Sequence, residues 1–245
     1  MNRSALRIII SGKTRSGKTT RARDLIRALR RKARRVVVVN FKPELWEYAQ
    51  GRYTVDDAGK SAALVGTALK KHRDVWFYLR APRRQEFMDA LAWHILQEND
   101  LLLVCDEAHL AWQRGQLSEN QVRVFTQGAG QGINTLLISQ TLVSQAGNID
   151  PLLVKQSSHL VSFQLTEKNE VDRLSEYIPE LGENVRRLAK ANLPTPGAPG
   201  EYVVKSFDTG EAGVAARSPS DPKRLLWIPL THDNSTGVYR FLHGD

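Results

Sequence analysis

The segment Gly12-Lys13-Thr14-Arg15-Ser16-Gly17-Lys18-Thr19 constrains this chain more than any other feature. It fits G-x-x-x-x-G-K-[ST] in full, directly after the apolar run at 6–11 and at the start of a helix-patterned stretch. Glycines at its ends let backbone N–H groups wrap a phosphate, and the helix N-terminus adds partial positive charge. Lys18 is expected to reach the β- and γ-phosphates, and the Thr19 hydroxyl to ligate Mg²⁺. The expected nucleotide-binding set runs from Gly12 through Thr20, with ATP and Mg²⁺ as ligands.

The rest of the pattern supplies the fold that such a loop needs. Apolar runs at 6–11, 36–40, 75–79, 101–105, 134–139 and 159–165 read as strands. Helical spacing covers 18–33, 60–71, 83–97, 118–126, 168–177 and 182–191. Residues 41–59 read as irregular, with Lys42-Pro43 and Asp56-Asp57-Ala58-Gly59 as turn signals. Alternating strands and helices imply right-handed βαβ units, hence an α/β domain with a mostly parallel sheet flanked by helices. Residues 193–200, LPTPGAPG, read as a Pro/Gly loop, and 201–217 as a β-hairpin. The expected organisation is one domain over 1–217 and a patternless tail over 218–245.

Two further spots carry chemistry. The all-apolar strand 101–105 ends in Asp106-Glu107, the form of a Walker B motif. Asp106 would hold Mg²⁺, and Glu107, pointing to the other side of the pleat, would polarise the water that attacks the γ-phosphate. A helix-start acid favoured by the dipole is the plainer reading of Glu107. The strand 134–139 runs into Gln140-Thr141. If it lies beside the strand that feeds the phosphate loop, Gln140 can hydrogen-bond both phosphate and attacking water. Otherwise it is a Gln in a polar loop. Asp106-Glu107-Ala108-His109 also spells DEAH, but a helicase of that kind needs two lobes and a downstream Q-x-x-G-R-x-x-R motif. This chain has room for one lobe and lacks the motif. His109 is left between a contact to the site and a structural role.

Charge is local. Residues 1–50 hold 14 basic and 3 acidic residues, and the other 195 hold 21 and 23. The peak is RARDLIRALRRKARR at 21–35, where Ala22, Leu25, Ile26 and Leu29 make an apolar face and arginines crowd the rest. That surface is either a solvated helix face or one that meets phosphate or a neighbouring subunit. No apolar stretch is long enough to span a bilayer, and the N-terminal residues lack a secretory h-region. The one cysteine, Cys105, sits in an apolar run and reads as a buried thiol in a reducing compartment. A soluble cytoplasmic protein is the expectation.

The order of these motifs resembles the FtsK–HerA superfamily of DNA-pumping ATPases, which are RecA-like P-loop NTPases. The resemblance covers roughly 5–212 and rests on the Gln-tipped strand with Ser139-Gln140-Thr141 and on the stretch 148–165. It also rests, more loosely, on Asn40-Phe41-Lys42-Pro43-Glu44-Leu45 and on Gly200-Glu201-Tyr202-Val203-Val204 with Asp208-Thr209-Gly210. In size the chain is similar to the genome-packaging ATPases of membrane-containing icosahedral viruses. The resemblance implies an ATP-driven motor that moves double-stranded DNA into a preformed capsid. It implies a homo-oligomeric ring, commonly a hexamer, and partners at a capsid vertex or among membrane proteins. It places the protein in the host cytoplasm or at the packaging vertex of a virion. Many cellular members carry a Gly-Arg pair that supplies an arginine to the neighbouring site. Here the stretch is Gly128-Ala129-Gly130-Gln131-Gly132, so Arg123 is the first candidate for that role, with Arg80, Arg83 and Arg84 as alternatives. A Zot-like assembly or secretion ATPase, a cellular DNA-transfer ATPase and a nucleotide switch are the competing functions. Glu107 and Gln140 speak against the switch.

Overall fold

The computed structural model describes residues 5–57, 61–80, 84–142, 149–179 and 181–230. In chain order the elements are β1 (Arg7–Ser11), α1 (Lys18–Arg30), β2 (Arg35–Asn40), β3 (Gly51–Val55), α2 (Ser61–Lys71) and β4 (Val75–Leu79). Then come α3 (Arg84–Ile95), β5 (Leu101–Cys105), α4 (Ala108–Ala111), α5 (Glu119–Thr126), β6 (Asn134–Ile138) and α6 (Pro151–Lys155). The chain closes with β7 (His159–Phe163), α7 (Lys168–Tyr177), β8 (Tyr202–Ser206), β9 (Ala212–Arg217) and β10 (Leu225–Leu230).

Branched apolar residues on both faces make the central strands. In β2, Val36 and Val38 join one core and Val37 and Val39 the other, all essentially without exposure. Among the described residues the strands form one ten-stranded sheet in the order β10-β9-β8-β7-β1-β6-β5-β2-β4-β3. From β7 to β3 every neighbour is parallel, whereas β8, β9 and β10 are antiparallel additions. This is the mostly parallel RecA-like sheet with a C-terminal hairpin. β1 lies between β6 and β7, so the Gln-tipped strand is next to the strand that feeds the phosphate loop.

The helices divide unequally. α1 buries Ala22, Ile26 and Leu29 against one face, beside β1, β5 and β6. α2, α3, α5 and α7 cover the other through Val65, Phe87, Leu91, Phe125 and Leu174 among others. Ser118 caps α5 in a full capping box with Gln121, which satisfies two otherwise orphaned donors. Outside the core, the arginines of α1 divide among several carboxylates. Arg23 pairs with Glu47 at 2.9 Å, Arg27 with Asp24 at 3.3 Å and Arg30 with the buried Asp74 at 2.6 Å.

Three expectations need correction. Residues 41–59 are not wholly irregular: a 3-10 turn at Trp46–Tyr48 leads into β3. β3 is an edge strand whose middle residues are partly or fully exposed, so it lacks the continuous apolar signature. The helix expected over 182–191 is a 3-10 segment, Gly182–Arg187, that ends where Leu188 turns extended. The tail expected over 218–245 contains six residues, Leu225–Leu230, that pair along β9 as the opposite edge strand. Pro229 lies inside that run, and proline inside a strand is tolerated mainly at an edge.

Candidate nucleotide site

The phosphate loop closes at the C-terminal end of β1. Gly12 has φ 140°, and a Cβ there would lie 2.6 Å from Cβ of Phe163. Gly17, with φ 110°, sits at the N-terminal cap of α1 without a side-chain cap, so the helix presents free N–H groups there. A Cβ on Gly200 would overlap the Ser16 carbonyl oxygen, so the end of the Pro/Gly loop lies directly against the phosphate loop. Lys18 is 8% exposed, and its ammonium donates to the carbonyls of Gly12 (2.5 Å) and Lys13 (2.7 Å). Burial pushes it down to about 8, against the opposing pull of Glu107 and Asp106. The Lys13 ammonium pairs with Glu167 at 2.9 Å, while Thr14, Arg15 and Thr20 are exposed and Thr19 is half-buried.

Asp106 and Glu107 follow β5, both under a tenth exposed. The Asp106 N–H donates to Val39 O at 3.0 Å, and its carboxylate accepts from the Glu107 N–H at 2.9 Å. Burial, reinforced by the Glu107 charge, raises the Asp106 carboxyl to about 6. The two acids do not diverge by pleat alternation as expected. Glu107 lies beyond the strand in left-handed backbone (φ 51°, ψ 46°), and this turn aims its side chain. It stands at the N-terminal cap of the short α4 but makes no side-chain cap bond.

Glu107 is held on one oxygen and free on the other. Its Oε1 accepts from the Gln140 amide at 2.6 Å and from the Lys42 ammonium. Its Oε2 is buried and has no hydrogen-bond partner within the described residues, with His109 Nδ1 at 3.6 Å. Burial alone would raise this carboxyl, but the bonds from Lys42 and Gln140 outweigh it and the net shift is downward. His109 is shifted down by burial against the pull of Glu107, and its Nδ1 lies 3.1 Å from Ser139 Oγ. So His109 lies at the site rather than in the core.

Gln140 joins the two halves. Its Oε1 accepts from Thr14 Oγ1 at 3.2 Å, while its Nε2 reaches Glu107. The segment that carries it is pinned from behind. The Ser139 hydroxyl donates to Thr141 O at 2.6 Å, Thr141 donates to the buried Glu170 of α7, and the Leu142 N–H donates to the same carboxylate at 2.9 Å.

Lys42 and Glu170 are the site residues that sequence reasoning missed. The sequence marks Asn40–Leu45 as a turn segment but gives Lys42 no chemical role. A lysine two residues past an apolar strand is a weak signal, and only the pairing of β2 with β5 shows that it meets Glu107. The candidate arginines scatter. Arg123 is exposed on α5 and donates to Gln127 Oε1 at 3.2 Å. Its helix ends near the start of β1, where Phe125 O accepts from the Arg7 guanidinium at 2.6 Å, the end of the sheet away from the phosphate loop. Arg80 pairs with Asp56 at 3.4 Å, and the Arg84 guanidinium lies 5.0 Å from the centroid of the Phe41 ring. Arg83 lies outside the described residues. Cys105 is fully buried, and burial pushes its thiol up.

The donor set suits a magnesium-bound triphosphate. Among the described residues no cluster of three or more His, Cys, Asp or Glu could hold a metal by itself. Mg²⁺ keeps few protein ligands and takes phosphate oxygens, so Thr19 and Asp106 would suffice with a nucleotide present. Beside the loop a cavity of about 340 Å³ opens, lined by Gly17, Thr20, Arg21, Asn192, Pro199 and Tyr202 among others. No helix among the described residues is long and apolar enough to cross a membrane.

No family model matches the sequence. No curated protein matches it either. Solved structures do match. The genome packaging NTPase B204 of Sulfolobus turreted icosahedral virus 2, in complex with AMPPCP, superposes with a TM-score of 0.64 at 16% identity. That match covers 86% of this chain and 97% of B204. The same protein with ATP-gammaS gives 0.62 at 16%, over 86% and 97%. B204 of Sulfolobus turreted icosahedral virus, described as a DNA-packaging ATPase, gives 0.64 at 17%, over 87% and 98%. At such identities the likeness is one of fold: this chain has a RecA-like P-loop NTPase fold.

Proposed function

We propose that this chain is an ATP-hydrolysing motor that moves double-stranded DNA, packaging a viral genome into a preformed capsid as a homo-oligomeric ring, a hexamer. One observation carries the hydrolytic part: the Gln140 amide spans from Thr14 of the phosphate loop to Glu107. A group that touches both can report on the γ-phosphate and fix the carboxylate that activates water. The backbone of residues 12–18 and the Lys18 ammonium would bind the phosphates, and the cavity at Thr20 and Tyr202 would take the base and ribose. Thr19 and Asp106 would hold Mg²⁺, which supplies charge neutralisation between the β- and γ-phosphates. Glu107 would accept the proton from a water as its oxygen attacks the γ-phosphorus. The bond to the bridging oxygen then breaks, giving ADP and phosphate. The likeness of fold to B204, solved with ATP analogues, supports ATP as the nucleotide and DNA as the cargo. Host cytoplasm and a packaging vertex are the places where such a motor would work.

Turnover measured with and without duplex DNA tests this reading. The wild-type chain should hydrolyse ATP faster with DNA. Glu107→Gln should bind ATP yet lose about 10²–10⁴ in rate, and Lys18→Ala should lose nucleotide binding. Wild-type turnover in Glu107→Gln would overturn the assignment. ATPase activity indifferent to DNA would favour an assembly or secretion factor.

A further inference from the structure

The contact between Lys42 and Glu107 has no place in the scheme so far. Lys42 follows β2, the strand next to β5, so its loop and the Asp106-Glu107 turn leave the C-terminal ends of these strands side by side. The loop is fixed by its own hydrogen bonds. The Lys42 N–H donates to Asn40 Oδ1 at 2.9 Å, and the Asn40 amide donates to Glu44 O at 2.9 Å. Trp76 Nε1 donates to the same Glu44 carbonyl at 2.9 Å, and Asn40 itself is fully buried. Lys42 is thus a flexible stem on a rigid base, and its ammonium bonds Glu107 Oε1.

We propose that Lys42 is a positioning residue for hydrolysis: with Gln140 it clamps Oε1 of Glu107, so that Oε2 is the oxygen turned to the water. This rests on the reading of Glu107 as the water-activating base. Three observations converge on it. Both donors meet Oε1, so that oxygen is tied down from two sides while Oε2 is left to face elsewhere. The other oxygen is buried with no hydrogen-bond partner among the described residues and with His109 Nδ1 3.6 Å away, as an oxygen reserved for a reacting water would be. The pair is also asymmetric in burial: the Lys42 side chain is 49% exposed and that of Glu107 only 6%. A pair exposed on both sides contributes little, but a carboxylate this buried needs a bonded partner to remain well placed. Asp106 adds like charge next to it and Lys18 lies on the phosphate side, so among the described residues Lys42 is the cation hydrogen-bonded to Glu107.

A double-mutant cycle tests the clamp. Lys42→Met should keep its affinity for a fluorescent ATP analogue and lose about a hundredfold in kcat, the scale of a small misplacement of a reacting group. Lys42→Arg, which restores the charge, should recover most of the loss. In the Glu107→Gln background, Lys42→Met should cost nothing more, because it acts through Glu107. The melting temperature should follow the same pattern: a loss in Lys42→Met alone and none on top of Glu107→Gln. Full wild-type turnover in Lys42→Met overturns this inference and leaves the ATPase reading standing. So does a loss that appears only as weaker nucleotide binding, which would make Lys42 a phosphate ligand, or a kcat loss that persists with Glu107→Gln. A wild-type chain without ATPase activity overturns the underlying reading itself, whatever the melting temperatures show.

Discussion

Gly200 and Ser16 show how little room the phosphate loop has. The Ser16 carbonyl occupies the space where a Cβ of residue 200 would go. Relief requires movement of backbone rather than of a side-chain tip. Gly200→Ala should therefore cost roughly 1–3 kcal/mol, as overpacking does, and lower the denaturation midpoint in urea. Because the loop itself must shift, ATP affinity should fall with it, and an alanine variant with unchanged stability and affinity would disprove the contact. The glycines within the motif were legible from the sequence because their spacing is tied to a phosphate. Gly200 reads as the last residue of a Pro/Gly loop that leads into a hairpin, since nothing in the sequence says which distant backbone it meets. Glu107 teaches a related lesson. Its identity could be read from the strand that precedes it, but its aim comes from a left-handed turn rather than from the pleat. Non-glycine residues adopt that backbone rarely, so no propensity argument would have placed it there.

At the scale of elements, α1 is amphipathic in the way its sequence indicates, with Ala22, Ile26 and Leu29 inward. The arginine-dense face is partly spent at home. Arg30 serves the buried Asp74, which also accepts from the Val36 N–H at 3.0 Å and so ties α1 to the start of β2. Reversing Arg30 would strand that carboxylate and confuse any DNA assay with unfolding. The cleaner pair is Arg27→Glu with Arg31→Glu, both on the exposed side. That variant should keep its DNA-stimulated ATPase activity, whereas Arg84→Glu, near Phe41 at the C-terminal edge of the strands, should reduce the stimulation and flatten its salt dependence. The reverse ranking, measured on variants with wild-type melting temperatures, would move the DNA path to the α1 face. Central strands and their helices could be read because burial on both faces demands apolar runs. β3 and β10 could not, for each has a neighbour on one side only. The stretch at Gly182–Arg187 has helical spacing but tightens into 3-10 turns.

For the whole molecule, the site is assembled from loops after β1, β2, β5 and β6, all at the C-terminal ends of these interior strands. Arg123 lies on a helix that descends toward the opposite ends, so within one chain it does not serve its own phosphates. In the proposed ring it would act across a subunit boundary. Mixing Arg123→Ala with Glu107→Gln should restore ATPase activity above either variant alone, since some sites then pair an intact base with an intact arginine. The recovery could reach a sizeable part of the 10³–10⁵ that trans-acting arginines contribute in other phosphoryl-transfer enzymes. No recovery in mixtures that form rings would remove Arg123 from the candidates.

β6 stands between β1 and β5. Neighbouring strands lie about 4.8 Å apart, so the strand that feeds the phosphate loop and the strand that carries Asp106 and Glu107 are held at about 10 Å. That spacing is a gauge cut into the backbone. Ladder hydrogen bonds set it, and no side chain in the site can widen or narrow it. Point variants at Lys18, Lys42, Glu107 or Gln140 thus change what lines the gap without changing its width. Their kinetic differences can be compared with one another as chemistry performed across a constant distance.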